Sequence, residues 1–379
     1  MNQISVVPVE DEVGKLQFIK FPFKLYKNEP NWVAPLIFEV KNNLDEKKNP
    51  FFKHSKIKLF LAYRHSNVAG RIAAIVNTNH NEFHNDKTGF FGFFDCINDN
   101  EVANVLFNAA EDFLYENKMD TIRGPINLST NDEVGLLVNS FNLPPVLMMP
   151  YNYPYYEALI TSYGFKKVKD LFAYRVTEKI IQDKPIMDKL ERVANIVLKR
   201  EGLKIRQINL NDFHSEVKLL REVYNRAWEH NWGFVPMTEE EFYYMAKNLK
   251  TIANPDYIFI AEKNSKPVGF SLTLLDYNQI FQKMNGRIFP TGIFKLLTGK
   301  KKINRIRVVA MGIVKEFQKR GVEAVFIRDT IKNGIKNGIK ECEISWVLED
   351  NIPMVQTAEN IHSEKYKTYR IFEKTIEKH

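Results

Sequence analysis

The chain has 379 residues, 44% of them hydrophobic and 13% aromatic, with a formal charge of +8. That length exceeds what one core usually spans, so two domains are expected, and no run approaches the roughly 20 apolar residues of a membrane-crossing helix. Cys96 and Cys342 stand one in each half, and the start Met1-Asn2-Gln3 lacks the basic and apolar regions of a secretory signal, so a reducing cytoplasm without structural disulfides is expected.

Ile4 to Val9 reads as a strand, and Glu10 to Asn49, with several prolines, as helical or irregular chain. Phe60 to Gly70 is an apolar strand, a polar turn and a second strand opening at glycine, the pattern of a β-hairpin. The pattern returns as Phe259-Ile260-Ala261-Glu262-Lys263-Asn264-Ser265-Lys266-Pro267-Val268-Gly269, at an offset of 199 residues (259 − 60). One module used twice is therefore the first organisation to test. After the first hairpin, Arg71 to Val76 and Gly89 to Cys96 read as strands, and Val102, Leu106, Ala109, Phe113 and Leu114 recur at helical spacing within Asn100 to Lys118. Thr121 to Pro125 looks like a strand end, and Tyr155 to Tyr163 like a short helix closed by Gly164.

The charged run from Glu178 to Pro185 places a boundary between residues 1–178 and 179–379. In the second half Asp212 to Trp228 and Glu239 to Asn248 are amphipathic helices, followed by the hairpin from Tyr257 to Leu275. Arg305 to Val314 is an apolar strand, Ala324 to Lys336 a helix and Glu343 to Leu348 a strand. Between them, Arg287 to Val309 carries Ile288, Phe289, Ile293, Phe294, Leu296 and Leu297, then Lys300-Lys301-Lys302, Arg305 and Arg307, without one acid. Apolar residues beside a basic cluster suit peripheral contact of residues 287–307 with an anionic membrane, or a long acyl chain; a hairpin packed on the partner module would use the same residues.

The positive balance calls for an anionic partner or is merely a basic surface. The turn Ile313-Val314-Lys315-Glu316-Phe317-Gln318-Lys319-Arg320-Gly321-Val322-Glu323-Ala324 narrows the choice. A strand, a basic turn with glycine and a helix starting at once direct backbone N–H groups and a helix dipole at one point, which makes an anion site. Gly321 lets backbone approach a phosphate, and Gln318, Lys319 and Arg320 add donors and charge. The corresponding first-half turn, Ile97-Asn98-Asp99-Asn100-Glu101, has two acids and no glycine, so that module is expected to be degenerate in phosphate binding and to shape an acceptor cleft.

On these residues the chain resembles the GNAT superfamily of acyl-CoA-dependent N-acyltransferases, whose pyrophosphate loop reads Gln/Arg-x-x-Gly-x-Gly/Ala. Gln318 and Gly321 match the first and fourth positions; Glu323 stands at the sixth, where a small residue is usual. A bland place for Glu323 is the first helical turn, pointing to solvent. Gly124-Pro125, Ser129, Asn131, Gly135-Leu136-Leu137, Pro144-Pro145, Met148-Met149, Tyr151-Asn152 and Pro154-Tyr155-Tyr156 are similar to a two-module subgroup with bacterial ceramide-synthase-like N-acyltransferases among its relatives. So is Tyr224-Asn225-x-Ala227-Trp228-x-x-Asn231-Trp232-Gly233-Phe234-Val235-Pro236. The resemblance implies an α/β (α+β) protein of two tandem modules, each a mixed, mostly antiparallel twisted sheet flanked by helices.

The resemblance also implies the chemistry: an amine attacks the thioester of acetyl-CoA or a longer acyl-CoA, with no metal, in the C-terminal module. Backbone groups of Met311, Gly312 and Ile313, with Gln318, Lys319, Arg320, Gly321 and Val322, would hold the co-substrate. Asn351 either bonds the pantetheine or starts a helix. For the base, Glu349 and Asp350 follow the strand Glu343 to Leu348 and Glu343 lies within it; acids after a strand also cap helices. Tyr366 and Tyr369, in what reads as the last helical stretch, are candidates for the acid or are buried structural tyrosines. Trp228, Asn231, Trp232 and Phe234 form an acceptor wall or part of the core. The acceptor expected is a small-molecule or lipid amine, and nucleic acid is disfavoured because the phosphate loop survives. An aminoacyl-tRNA-dependent transferase and a non-catalytic acyl-CoA or lipid-binding protein are the alternatives.

Overall fold

In the computed structural model, which describes residues 4–377, the chain forms two units that are not continuous stretches of sequence. Unit 1 takes the chain up to Asp170, then Ile280–Leu297, and the chain from Lys367 on; unit 2 takes Leu171–Gln279 and Thr298–Tyr366.

Unit 1 begins with β1 (Ile4–Pro8), α1 (Glu12–Leu25), α2 (Ile37–Asn43), β2 (Ser55–Arg64), β3 (Asn67–Asn77), α3 (Thr78–His84), β4 (Thr88–Cys96) and α4 (Asn100–Glu116). It continues through β5 (Thr121–Gly124), β6 (Leu136–Leu137) and α5 (Tyr156–Ser162) into β7 (Lys166–Thr177), which from Leu171 on belongs to unit 2. Strands β1 to β4 pair antiparallel in order. Strands β4 and β5 run parallel, but only from Thr88↔Thr121 to Phe90↔Arg123. Beyond that the ladder ends, but the chain stays against β4, with Ile126 N donating to Phe91 O at 2.8 Å and Phe93 N to Asn127 Oδ1 at 2.6 Å. Helix α4 packs on β2 and β3, with Val102, Leu106, Phe107, Ala110 and Leu114 fully buried; this is the helical stripe read from sequence, rotated slightly.

Unit 2 adds α6 (Glu178–Ile181), α7 (Lys184–Glu201), β8 (Lys204–Gln207), α8 (Phe213–Trp228), α9 (Glu239–Lys250), β9 (Ile258–Lys263) and β10 (Lys266–Leu275). The chain then forms α10 (Asn278–Phe281), α11 (Gly292–Gly299), β11 (Arg305–Ile313), α12 (Val322–Lys336), β12 (Glu341–Leu348), α13 (Ile352–Asn360) and β13 (Glu364–Thr375). Its strand order is β7-β12-β11-β10-β9-β8. Here too the central pair is parallel and short: β11 and β12 pair from Arg305↔Glu341 to Val308↔Ile344, although each strand continues beyond. The polar run after Thr177 is α6 followed by the start of α7, where the Asp183 side chain accepts from Ile186 N and Pro185 sits in the first turn.

The repeat holds down to backbone detail. In the first hairpin Ala62 faces Gly70 and Tyr63 faces Val68, so Ala69 is an extra, bulged residue. In the second Ala261 faces Gly269 and Glu262 faces Pro267, so Val268 is the bulge, at the same offset of 199. His65 and Asn264, again equivalent, adopt φ of 57° and 50° in the turns.

One expectation is corrected. Residues 364–375, read as helical, are the strand β13; the last helix, α13, ends at Asn360. Tyr366, Thr368, Tyr369, Ile371 and Phe372 favour a strand individually, and pairing of Phe372 with Gly124 supplies the ladder that a single sequence does not display.

Candidate active site

The site predicted from sequence lies in unit 2, where β11 runs on past its last pairing with β12. On its other edge β11 pairs with β10 as far as Gly269↔Ile313, with Val309 bulged between Leu272↔Ala310 and Thr273↔Val308. Met311, Gly312 and Ile313 thus keep one ladder while the side toward β12 has separated. The turn that follows is closed by Gln318, whose Nε2 donates to Ile313 O at 2.9 Å. Lys319 is exposed at φ 59°, and Gly321, at φ 84°, starts α12 without any side-chain cap. A left-handed residue there is what glycine accommodates without a Cβ penalty. Ala324 N already donates to Gly321 O at 3.1 Å, while the Val322 and Glu323 amides are left for an outside acceptor, so the donor set fits a phosphate group.

Arg320 is engaged nearby. Its Nη1 lies 3.0 Å from Glu201 Oε2 and its guanidinium covers the Phe317 ring, while Arg200 donates to the Arg320 carbonyl. Glu323 is half-buried in the first turn of α12. In unit 1 the equivalent position is filled from within: Asp99 accepts from the amides of Glu101 and Val102, and Arg64 pairs with both Asp99 and Glu101. A carboxylate already occupies the place an anion would take.

Where the two strands cease to pair lies a buried polar network that joins Glu343 and Tyr366, both named from sequence as candidate base and acid, to Arg307 and Ser345, which were not. Arg307 on β11 stands in register with Glu343 on β12, and both are almost completely buried. Arg307 Nε reaches Ser345 Oγ at 2.9 Å, Ser345 Oγ donates to Glu343 Oε1 at 2.5 Å, and the guanidinium lies over the Trp346 ring. The Tyr366 hydroxyl donates to the other Glu343 oxygen, and its ring lies beneath Arg175. The signal was available: an arginine inside Arg305 to Val314 and a glutamate inside an otherwise apolar strand need buried partners.

The other predicted residues are dispersed. Asn351 is the N-cap of α13, its side chain accepting from Met354 N. Glu349 is half-buried and Asp350 exposed just before that cap. Tyr369 is fully buried on the part of β13 that belongs to unit 1, opposite Leu137, so the structure does not group it with Tyr366. Trp228 stacks on Tyr224 at 4.6 Å and closes over Gly312, where a Cβ would meet its ring at 2.1 Å. Phe234 is buried beside Tyr224, whereas Asn231 and Trp232 stay half-exposed in the loop after α8. Neither cysteine is a nucleophile: burial, helped by the Glu343 charge, pushes the Cys342 thiol up to about 12, and burial raises Cys96 as well. Among the described residues no group of His, Cys, Asp or Glu is placed to hold a metal ion, and no helix is long and apolar enough to cross a membrane.

No protein-family model matches the chain. Protein YghO of Escherichia coli (strain K12) is 37% identical over 95% of this chain and 92% of its own length. A bacterial ceramide synthase of Caulobacter vibrioides is 35% identical over 98% of each chain. Among solved structures, a tandem GNAT protein from the clavulanic acid biosynthesis pathway superposes with a TM-score of 0.58 at 12% identity, covering all of both chains. A probable N-acyltransferase from Enterococcus faecalis V583 gives a TM-score of 0.54 at 9% identity over 99% of this chain and 73% of its own. At those identities the structural likeness speaks for the fold.

Proposed function

The chain belongs to the tandem GNAT family that includes the bacterial ceramide synthase of Caulobacter, and on that footing we propose that it is an N-acyltransferase using acyl-CoA and a lipidic amine. The observation that carries the acyl-CoA reading is the uncapped start of α12 behind Lys319 and Gly321, reached directly from a strand that has parted from its parallel neighbour. The α12 amides and Lys319 would hold the pyrophosphate, and the backbone of Met311 to Ile313 would line the thioester. The thioester supplies an activated acyl carbon. The amine nitrogen forms the C–N bond as the C–S bond breaks; one proton leaves the nitrogen and one reaches the thiolate. Glu349 and Asp350, at the open end of β12, are the carboxylates placed to take the first. Tyr366 is already committed to Glu343 and acts as a positioning residue within the buried network.

A lipidic acceptor is supported by the relative named for making ceramide, an N-acylated long-chain base, and by the surface of this chain. Phe289, Phe294 and Leu297 are 74%, 69% and 72% exposed, Lys295 is exposed among them, and three exposed lysines follow at 300–302. Aromatic and leucine side chains with lysines around them suit the boundary of an anionic bilayer.

Calorimetric titration with acyl-CoA tests the proposal. Wild type is expected to bind, and Gly321→Ala and Lys319→Glu to bind at least tenfold more weakly. No heat from wild type, and none gained by Glu323→Gly, would remove the enzyme reading.

A further inference from the structure

The turn between β11 and α12 does not stand free, because a helix from outside the repeated frame lies against it. Strand β8 takes the place of β1 at the offset of 199 residues, and α7 precedes β8. Within unit 2, α7 and α12 pack side by side and run in opposite directions. Glu201 meets Arg320 at 3.0 Å, Asn195 meets Arg328 at 3.0 Å and Glu191 meets Lys332 at 2.7 Å. Ala194 and Val197 of α7 share one core with Val322, Val325 and Phe326 of α12, all of them buried. Exposed ion pairs contribute little beside such burial, so the apolar seam holds the two helices together and the polar contacts at its end are left for another task.

Those contacts all fall on the pair Arg320–Gly321. Arg200 Nη2 donates to the Arg320 carbonyl at 2.5 Å. Arg200 Nε and Arg320 Nη1 share the Glu201 carboxylate, at 2.7 Å from Oε1 and 3.0 Å from Oε2. Val197 lies one turn earlier on the same face of α7, its Cγ2 3.0 Å from where a Gly321 Cβ would stand. Glu201 is buried, whereas the Arg200 and Arg320 side chains are half-exposed.

Peptide geometry turns these contacts into a direction. A trans peptide is planar and carries its carbonyl and its N–H on opposite sides, so pinning the Arg320 carbonyl to α7 turns the Gly321 N–H away from α7. The Arg320 guanidinium has Glu201 as counter-ion and the Phe317 ring beneath it, so its charge is compensated before any ligand arrives. Gln318 is bonded to Ile313 O, which leaves Lys319 as the cation of the 318–321 stretch to meet an anion. Lys319 and Gly321 both sit at positive φ, 59° and 84°, a shape that an unsupported lysine adopts only at a cost.

We propose that Arg200 and Glu201 are positioning residues for the pyrophosphate: α7 orients the peptide between Arg320 and Gly321 so that the Gly321 N–H joins the Val322 and Glu323 amides, and it withholds the Arg320 guanidinium from the ligand. The anion is then held by backbone amides and Lys319, and its affinity depends on an arginine that never touches it. Holding the turn in its binding shape beforehand spares the ligand the cost of ordering it. That the anion is the pyrophosphate of acyl-CoA rests on the N-acyltransferase reading; that α7 shapes the turn rests on the contacts alone.

The test is calorimetric titration of the full chain with inorganic pyrophosphate and, separately, with acetyl-CoA. Arg200→Gln is expected to bind both about fivefold more weakly than wild type. Lys199→Gln removes the same charge from the next residue, which is exposed and makes none of these contacts, and should stay within about twofold. Arg200→Lys, which keeps a donor for the Arg320 carbonyl, should recover most of the loss. All three should melt with wild type, since the apolar seam is untouched. Equal losses in Arg200→Gln and Lys199→Gln would reduce the effect to charge, and no loss in Arg200→Gln, or a loss that follows melting temperature across the variants, would equally overturn the brace. Acetyl-CoA bound by wild type and unaffected by Arg200→Gln sinks the brace alone. Pyrophosphate weakened by Arg200→Gln, with acetyl-CoA bound no better than pyrophosphate, sinks the acyl-CoA reading and leaves the brace standing; wild type that binds neither sinks both.

Discussion

Replacing Gly312 by alanine places one methyl group where the structure has no room for it. The new Cβ would lie 2.1 Å from Trp228 Cζ3, 2.5 Å from Cη2 and 3.1 Å from Ala227 Cβ. Carbon atoms rest at about 3.5–4.0 Å, so the indole must withdraw by about 1.5 Å or swing away. Swinging away breaks the 4.6 Å stack on Tyr224 and the 5.7 Å contact with Phe270. Such a stack is worth about 0.5–1.5 kcal/mol beyond burial, and overpacking typically costs about 1–3 kcal/mol. The expected destabilisation is about 2 kcal/mol, or about 4–8 °C in melting temperature for a unit of this size. Urea unfolding followed by circular dichroism measures it, and tryptophan emission reports the ring. Because the clash is pairwise, Trp228→Leu in the Gly312→Ala background should recover about 1 kcal/mol or more relative to additivity. Acyl-CoA affinity should fall with Gly312→Ala, since the strand edge carrying the thioester contacts shifts. An unchanged midpoint, unchanged emission and additive double mutant would refute the seating of Trp228 on β11.

Glu323→Gln should lower stability by about 0.3–1 kcal/mol, the contribution of an acid in a first helical turn, while tightening acyl-CoA binding by removing repulsion of the pyrophosphate; weaker binding would show that Glu323 has another role. Replacing Lys300, Lys301 and Lys302 with Glu should reduce co-sedimentation with vesicles containing anionic lipid, most clearly at low salt, and unchanged sedimentation discards the membrane contact. Tyr366→Phe removes a donor from the buried Glu343 and should cost about 1–3 kcal/mol in unfolding experiments; a large fall in kcat with no loss of stability would instead make Tyr366 the proton donor. His80 is buried, and burial, opposed by Asp86 at 3.5 Å, holds it down to about 4. Between about pH 6.5 and 4 the unfolded chain therefore binds the extra proton, and stability should fall as pH falls through that window, by up to about 3 kcal/mol. His80→Phe, which keeps the edge contact with Phe90, should flatten the thermal unfolding profile there; an unchanged slope rejects the assignment.

What the sequence determined by itself was whatever local chemistry specifies. The two hairpins, the helical stripe of α4 and the glycine before α12 all depend on residues within one turn or one strand pair, so spacing alone exposed them. The family was legible for the same reason, through short strings that survive intact. Tertiary structure decided the rest. That residues 364–375 form a strand depends on pairing with a segment some 250 residues earlier, Arg123 facing Glu373, and periodicity carries no trace of such a partner. The same applies to Tyr366 and Tyr369. Three positions apart on a strand, they point to opposite faces and fall in different units, although in sequence they look interchangeable. The strings from Pro125 to Tyr156 were readable as signatures but not as the lining of a cavity, because what brings them together is the crossing of β4 at Gly92 and the pairing of Arg71 with Asp95, both non-local. Local propensity selects turns, caps and amphipathic faces; it takes long-range packing to bring charges buried in separate strands into one site.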